Sequence, residues 1–321
     1  PPTVPISVDP GFEMLHMVAG GEAAWRARPF VPNSNCFVVP PMKFAEESCI
    51  TMEKCVRAGM PMLLLSAGQA GATEIHSVGG LHPTLPFSYY TDLVRTIRDT
   101  ARALGSDLHV KAFTAVEIVH LARIAKVYRV DDRRAGIRWV LERLKEAGLG
   151  SLPGGGAEVF DDRVHDEAFK GKIRSDVWLD VHEVAHELGL NSNATILYGH
   201  IEHRHERLIH MDMLRKAQDE ALARKARLTP GMSEGSAQRI PRMQTATAGA
   251  MESPANACGQ FQTIIPLPFF PDGSELEHLP GPAGLENLRT LAIARLMLDN
   301  FPHVKAFWIM QTLAMAQLML Q

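Results

Sequence analysis

Hydrophobic and polar positions follow two alternating spacings along this chain. Short apolar runs of strand length are followed by longer segments in which apolar residues recur every three or four positions, as on one face of a helix. This succession is typical of βα units on a parallel sheet. The eight predicted strands are residues 35–39, 60–66, 74–78, 109–113, 151–160 (irregular), 193–198, 262–267 and 304–309.

Helical periodicity occupies the segments between these strands. The predicted helices are residues 89–104, 115–128, 137–147, 176–188 and 283–300. Eight alternating units predict an α/β fold of the (β/α)8 TIM-barrel type, complete or incomplete, in one domain over residues 1–321. An open doubly wound sheet is the alternative, because periodicity does not distinguish the two. In a barrel, functional residues follow the carboxyl ends of the strands.

Residues 221–257 interrupt this rhythm. The segment is rich in Ala, Ser, Gly, Pro and Met and contains no aromatic residue. Such a composition buries little surface, so it predicts a flexible insertion outside the barrel. A lid over a site is one interpretation and a tolerated surface loop is the favoured one.

Composition excludes several functional classes. The chain has 46% apolar residues, 21% charged residues and a net charge of −3, with acidic and basic residues interspersed. We therefore expect a small-molecule substrate and neither a nucleic-acid nor a membrane partner. Four scattered cysteines, at positions 36, 49, 55 and 258, favour a reducing cytoplasm and no metal ligation. The start at Pro1 without Met favours a fragment of a longer protein.

Glycines and polar residues lie at the ends of four predicted strands, either within the strand or directly after it. Paired glycines let backbone amides approach a ligand closely, and histidines can donate, accept or shuttle protons. We expect these residues to converge on one mouth of the barrel. The candidates, strand by strand, are Glu74, His76, Gly79, Gly80 and His82; Lys111, Thr114 and Glu117; Gly154, Gly155, Gly156 and Glu158; and Asn193, Thr195, Tyr198, His200 and Glu202.

Seven motifs in order make residues 73–321 resemble aminofutalosine synthase, a radical S-adenosylmethionine (SAM) family of menaquinone biosynthesis. They are TEIHSVGGLHP, HVKAFTAVEI, EAGLGSLPGGGAEVF, NATILYGHIE, LRKAQDE, FQTIIPLPFFP and LMLDNFPHVKAFWIM. The resemblance implies SAM and a [4Fe-4S] cluster as cofactors. The implied reaction is transfer of an adenosyl group to an enolpyruvyl-benzoate substrate.

The resemblance also implies roles for the strand-end residues. Glu117, His200 and Glu202 would be catalytic, while Glu74, His76, Gly79 and Gly80 would bind the cofactor. The substrate would be bound by His82, Lys111, Thr114, Gly154, Gly155, Gly156, Glu158, Asn193, Thr195 and Tyr198.

Residues 1–72 resemble a different family. GGEAAWRARPFV and CVRAGMPMLLLSAGQAGAT look like the corrinoid-dependent trimethylamine methyltransferases, which predicts a chimera joined near residues 71–73. The compact Cys-x3-Cys-x2-Cys loop that would hold a SAM-cleaving cluster is missing from this sequence, so we expect impaired turnover. Three functions stay open: a radical SAM synthase, a corrinoid methyltransferase, and a cluster-less barrel that binds a nucleoside-like ligand.

A metalloprotease-like motif offers a rival interpretation. His182 and His186 form a literal H-E-x-x-H, which in zinc proteases places two imidazoles one helical turn apart. A further ligand at the expected spacing is missing, so we favour a solvated helix face. Likewise, we expect His203, His205 and His210 on a solvated helix start.

Overall fold

The computed structural model describes residues 73–103, 105–228 and 258–320, together with three strands nearer the N-terminus. These strands are β1 (Thr3–Asp9), β2 (Met14–Val18) and β3 (Cys36–Val38). They form an antiparallel sheet in the order β2-β1-β3. The predicted strand at 35–39 contains β3, whereas β1 and β2 were not predicted. The predicted strand at 60–66 lies outside the described residues.

The chain divides into two compact units. The first comprises residues 1–156 and 171–182, and the second comprises residues 157–170 and 183–321. A single closed barrel therefore stays a prediction.

In the first unit, three parallel strands alternate with helices. The elements are β4 (Glu74–Ser77), α1 (Phe87–Ala103), β5 (His109–Ala112), α2 (Ala115–Ile124), α3 (Arg133–Ala147) and β6 (Ser151–Leu152). The strands pair in the order β4-β5-β6. Helix α3 ends at Gly148, whose φ of 117° is a left-handed cap that glycine adopts without strain. Apolar faces of α1, α2 and α3 supply the buried core.

The second unit repeats this alternation. Helix α5 (Ser175–Glu187) crosses the division, because its residues 175–182 belong to the first unit and residues 183–187 to the second. The other elements are α4 (Asp162–Ala168), β7 (Asn191–Tyr198), α6 (Arg204–Leu228), β8 (Phe261–Pro268), α7 (Gly284–Met297), β9 (His303–Val304), α8 (Trp308–Gln311) and α9 (Leu313–Met319). The strands β7, β8 and β9 are parallel neighbours in that order. Position 259, shortly before β8, requires glycine because a Cβ there would lie 2.0 Å from the Leu190 carbonyl oxygen.

The alternation of parallel strands with helices confirms the predicted α/β class and is that of a partial TIM-type barrel. The structure changes the bounds of several predicted strands and helices. Only Ser151–Leu152 of the irregular strand 151–160 is extended, and the strand predicted at 304–309 is the two-residue β9 followed by α8. Helix α6 continues to Leu228, so the first eight residues of the predicted insertion are helical. None of the described helices has the length and apolar character that crossing a bilayer demands.

Candidate functional site

The Glu117 carboxylate joins two strand-end loops of the first unit. Its Oε1 accepts a hydrogen bond of 2.9 Å from the Gly79 amide, which follows β4. Its Oε2 accepts bonds of 2.8 Å from both the amide and the hydroxyl of Thr114, which follows β5. Thr114 is the N-cap of α2, and together with Glu117 it forms a capping box. Glu117 therefore fixes the glycine loop against the start of α2.

Glu117 is almost completely enclosed, with 6% of its surface exposed. Burial raises the pKa of its carboxyl above the ordinary value, while the hydrogen bonds from Thr114 and Gly79 act in the opposite direction. Because three donors already occupy the two oxygens, little acceptor capacity remains for a ligand.

The residue between β5 and Thr114 has a strained backbone. Phe113 has a φ of 62°, in the left-handed region that non-glycine residues rarely adopt. Its amide donates to the Ser77 carbonyl over 3.2 Å, and its buried ring contacts Tyr90 edge-on. Such conformations cost about 1–3 kcal/mol and persist where surrounding contacts over-determine them. The Thr114–Glu117 box is part of that surrounding structure.

The other predicted residues around β4 and β5 take different positions. Lys111 Nζ forms an ion pair of 2.8 Å with Glu74 Oε1. His82 shapes the following turn, because its Nδ1 accepts from the Thr84 and Leu85 amides at 3.2 Å each. His76 is half-buried on β4, while Gly79 and Gly80 are exposed. A Cβ added to Gly80 would meet no atom within 4 Å, so space remains beside this loop.

The glycines after β6 have a packing reason. A Cβ on Gly155 would lie 3.1 Å from Thr114 Cγ2, and one on Gly156 would lie 2.5 Å from Val116 Cγ2. Gly156 also has a φ of 85°. The Gly155 carbonyl accepts a bond of 3.3 Å from the Trp178 indole, while Gly154 is buried. These close approaches explain Gly155 and Gly156 without a ligand, and the predicted substrate contact of the three glycines stays a prediction.

In the second unit, Tyr198 points from the end of β7 towards α7. Its hydroxyl donates to Asn287 Oδ1 over 2.9 Å, and the ring is completely buried. Burial raises the tyrosine pKa. The neighbouring predicted residues lie earlier on the strand: Thr195 is buried and Asn193 is half-buried.

A charged network holds the loop between β7 and α6. Glu202 accepts bonds from the amides of Gly199 at 2.6 Å and His200 at 2.8 Å. Its Oε1 also lies 2.7 Å from the Arg207 guanidinium, and Arg207 reaches Glu286 at 2.6 Å. The side chains of His200 and Glu202 have no exposed surface. The structure therefore brings together His200 and Glu202, two of the predicted catalytic residues, in an enclosed environment.

His200 is packed between aromatic rings. Phe169 and Phe269 contact the imidazole edge-on, with ring centroids 5.3 and 5.7 Å away. Burial lowers the pKa of His200, although the nearby Glu202 carboxylate acts in the opposite direction. Glu158, at the start of the second unit, is half-buried with a φ of 48°, and its carbonyl accepts from the Leu197 amide.

Sequence reasoning missed Arg207 and Glu286. Arg207 lies on α6 and Glu286 lies on α7, so 79 residues separate the two side chains that pair. The sequence holds a local signal for Arg207 alone. It lies one turn into the helix that follows β7, five residues after Glu202, and an arginine at that distance can reach back to the carboxylate.

The solvated-face interpretation of His182 and His186 is wrong, because both side chains are buried. His182 stacks on Trp178 with ring centroids 3.8 Å apart. His186 Nε2 lies 2.8 Å from the Ser192 hydroxyl, and burial lowers its pKa to about 3. Apolar packing of α5 thus accounts for both imidazoles. Within the described ranges, no group of three or more His, Cys, Asp or Glu could hold a metal ion.

The solvated helix start is confirmed for two of three histidines. His203 and His205 are exposed, whereas His210 is completely buried. His210 Nδ1 accepts from the Phe160 amide at 3.1 Å, and burial lowers the pKa of its ring to about 3. The prediction of a solvated position is wrong for His210. This residue lies about two turns after the start of α6, on the face that packs on β7.

Comparison with known proteins gives the chain a set of relatives. No protein-family model matches it. It is 42% identical over 256 residues to aminodeoxyfutalosine synthase of Thermus thermophilus and 36% identical over 259 residues to that of Streptomyces coelicolor. It is 31% identical over 257 residues to FO synthase of Mycobacterium tuberculosis.

Each of these matches covers 78% of the chain. They cover 56%, 54% and 24% of the three relatives, so the chain spans about half the length of the first two. These relatives give no support to the methyltransferase resemblance of residues 1–72, which stays a prediction. Over most of its length the chain is therefore similar to aminodeoxyfutalosine and FO synthases, and this similarity supports the radical SAM kinship that its strand-end motifs indicate.

Proposed function

We propose that this chain is an aminofutalosine synthase-like protein that binds SAM and an enolpyruvyl-benzoate substrate in menaquinone biosynthesis. The observation that carries the proposal is the 42% identity over 256 residues with a protein named aminodeoxyfutalosine synthase. In the synthase family that the chain resembles, the reaction class is the transfer of an adenosyl group to the substrate. The exposed glycine loop after β4, with open space beside Gly80, suits the close approach of a ligand.

The three predicted catalytic residues receive a revised role in this proposal. The side chains of Glu117, His200 and Glu202 are enclosed. The two carboxylates already accept bonds from backbone amides, Glu202 also pairs with Arg207, and His200 Nε2 lies 3.1 Å from the Leu197 carbonyl oxygen. We assign them to positioning: Glu117 holds the glycine loop, and Glu202 holds the loop after β7. Preorganised loops of this kind orient substrates and exclude water, which is the usual contribution of a protein to cofactor chemistry.

The cysteines of this sequence do not fit an iron-sulfur cluster. A SAM-cleaving cluster needs three thiolates in one short loop, whereas the cysteines stand at positions 36, 49, 55 and 258. Cys258 is buried and its thiol donates to the His186 carbonyl. We therefore derive no step through the cluster, and we propose that this chain by itself binds ligands without cleaving SAM.

A cluster-less nucleoside-binding protein is the second candidate function, and the cysteine spacing favours it. Isothermal titration with SAM and with S-adenosylhomocysteine tests binding, which we expect at submillimolar concentration. Anaerobic reconstitution with iron and sulfide, followed by reduction in the presence of SAM, tests turnover.

The titration tests ligand binding, which both candidates require, and the reconstitution tests SAM cleavage. Binding without 5′-deoxyadenosine supports both candidates, because neither cleaves SAM. Formation of 5′-deoxyadenosine would show that the chain assembles a cluster after all. Absence of binding up to millimolar concentrations of either ligand would refute the synthase-like function and leave only the similarity in sequence and fold.

A further inference from the structure

One face of the first unit's sheet carries polar side chains in a continuous row. In the register of β4 and β5, Glu74 pairs with His109, and Lys111 on β5 pairs with Ser151 on β6. Because side chains alternate between faces along a strand, and neighbours in register share a face, these four residues lie on one side of the sheet. The opposite side carries Ile75 and other buried apolar residues of the core.

This polar face, defined by Glu74, His109, Lys111 and Ser151, is held in place by direct bonds. The Lys111–Glu74 ion pair measures 2.8 Å, and His109 Nε2 lies 2.7 Å from the Ser151 hydroxyl. Gly150 makes room for the imidazole, because a Cβ there would lie 2.5 Å from His109 Cε1. In TIM-type barrels the inward-facing strand residues are ordinarily branched and apolar, and a polar row on neighbouring strands departs from that pattern.

The face has unused hydrogen-bonding capacity but no net charge. Lys111 has three N–H donors, of which Glu74 takes one, and Glu74 Oε2 has no bond among the described residues. The Lys111 side chain is 15% exposed and that of Glu74 is 33% exposed, so both remain within reach of a small molecule. Desolvation lowers the pKa of His109 below its ordinary value, which favours the neutral ring, although the Glu74 carboxylate acts in the opposite direction.

This arrangement discriminates between ligand classes. An anionic group bonded to Lys111 would also lie close to the Glu74 carboxylate, which repels it. A pair of adjacent hydroxyls meets no such repulsion, because one O–H can donate to Glu74 while a hydroxyl oxygen accepts from Lys111. The charge balance thus disfavours Lys111 as an anion-binding residue.

We propose that the polar face of β4, β5 and β6 is a subsite for a neutral ligand group with adjacent hydroxyls, recognised by Glu74 and Lys111. The inference rests on the proposed function in taking a nucleoside as one source of such a group. A free sugar alcohol is the other source. The geometry assigns His109 and Ser151 to the same subsite as a bonded neutral pair beside the two charged residues.

Binding of three probes to the whole chain tests this subsite. Isothermal titration would compare adenosine, 2′,3′-dideoxyadenosine and ribitol on the wild type, Glu74→Gln and Lys111→Met. We expect the wild type to prefer adenosine over the dideoxynucleoside by about tenfold, the net value of about one hydrogen bond, and each variant to lower that preference below about threefold. Glu146→Gln, a charge removal at an exposed position on α3, should keep the wild-type preference.

The outcomes separate this inference from the proposed function. Equal affinity of the wild type for adenosine and its dideoxy analogue would overturn the subsite even if SAM binds. An unchanged preference in both variants would also overturn it, and having two variants protects the test against misfolding of one. Binding of ribitol without adenosine would support the subsite with a free polyol as its source, while counting against a nucleoside ligand. Failure of all three probes would refute the subsite.

Discussion

Replacing Glu117 with alanine tests whether this residue positions loops or performs chemistry. The change removes the acceptor of three hydrogen bonds, from the Gly79 amide and from the amide and hydroxyl of Thr114. Loss of an N-cap interaction costs about 0.5–2 kcal/mol, and a buried donor left without a partner costs about 1–3 kcal/mol. The two costs overlap here, so we expect the free energy of unfolding to fall by about 1–3 kcal/mol.

The pH dependence of this loss has a definite sign. Because burial raises the Glu117 pKa, its contribution to stability is fully present below the unfolded pKa and declines as pH rises through the folded value. Alanine does not titrate. The cost of Glu117→Ala should therefore be largest in mild acid and smaller at neutral pH.

Hydrogen exchange measured by mass spectrometry gives the local readout. Peptides that contain Gly79 and Thr114 should exchange faster in Glu117→Ala, because both amides lose their acceptor, whereas peptides from α3 should not change. The matched control is Glu146→Ala, at an exposed position on α3. A catalytic residue is commonly removed at little or no cost to stability. Unchanged stability together with unchanged exchange at Gly79 would therefore refute the positioning role.

Three further predictions concern the stability of the fold. Tyr198→Phe should lower the free energy of unfolding by about 1–2 kcal/mol in urea titration, since it leaves the bond to α7 unmade; no change would contradict that bond. Gly156→Ala should destabilise by more than about 1 kcal/mol, through its positive φ and the 2.5 Å approach to a neighbouring side chain, whereas Gly171→Ala, with open space, should stay within about 0.5 kcal/mol. Because burial lowers the pKa of His186 and His210 from 6.5 to about 3, stability should fall as pH drops from 6.5 towards 3, by about 1.4 kcal/mol per pH unit for each ring. Urea titrations at pH 7 and 4.5 measure this loss, and a pH-independent midpoint would contradict neutral buried histidines.

The local pattern of the sequence was sufficient for the elements with strong periodicity. The strands around Ile75, Val110 and Ile264 and the helices around Ile97 and Val184 lie where apolar spacing predicted them. Capping chemistry is equally local, which is why α2 begins directly after Thr114. The strand predicted over 304–309 is shorter than expected because a nearly continuous apolar run of six residues fits a strand or a short helix, and the local pattern does not decide between them.

The sequence was sufficient to identify the candidate residues, whereas the contacts that set their roles depended on the fold. Glu117 appeared as a carboxylate near a strand end, and only the tertiary structure decided that its oxygens are occupied by the amides of Gly79 and Thr114. Lys111 appeared as a candidate substrate-binding residue, and only the pairing of β4 with β5 placed Glu74 beside it. Long-range pairing sets the charge and the burial that a side chain experiences, and neither is encoded in its immediate neighbours.

The sequence by itself determined the α/β class, the positions of the glycine loops and the similarity to aminofutalosine synthases, because these properties depend on residue order. The tertiary structure decided which polar groups are enclosed. It buried His186 and His210, joined Arg207 to Glu286 across 79 residues, and gave the polar face of β4, β5 and β6 its neutral ion pair. The physical reason is that desolvation and Coulomb energies depend on which segments meet in space, whereas hydrophobic periodicity depends only on spacing along the chain.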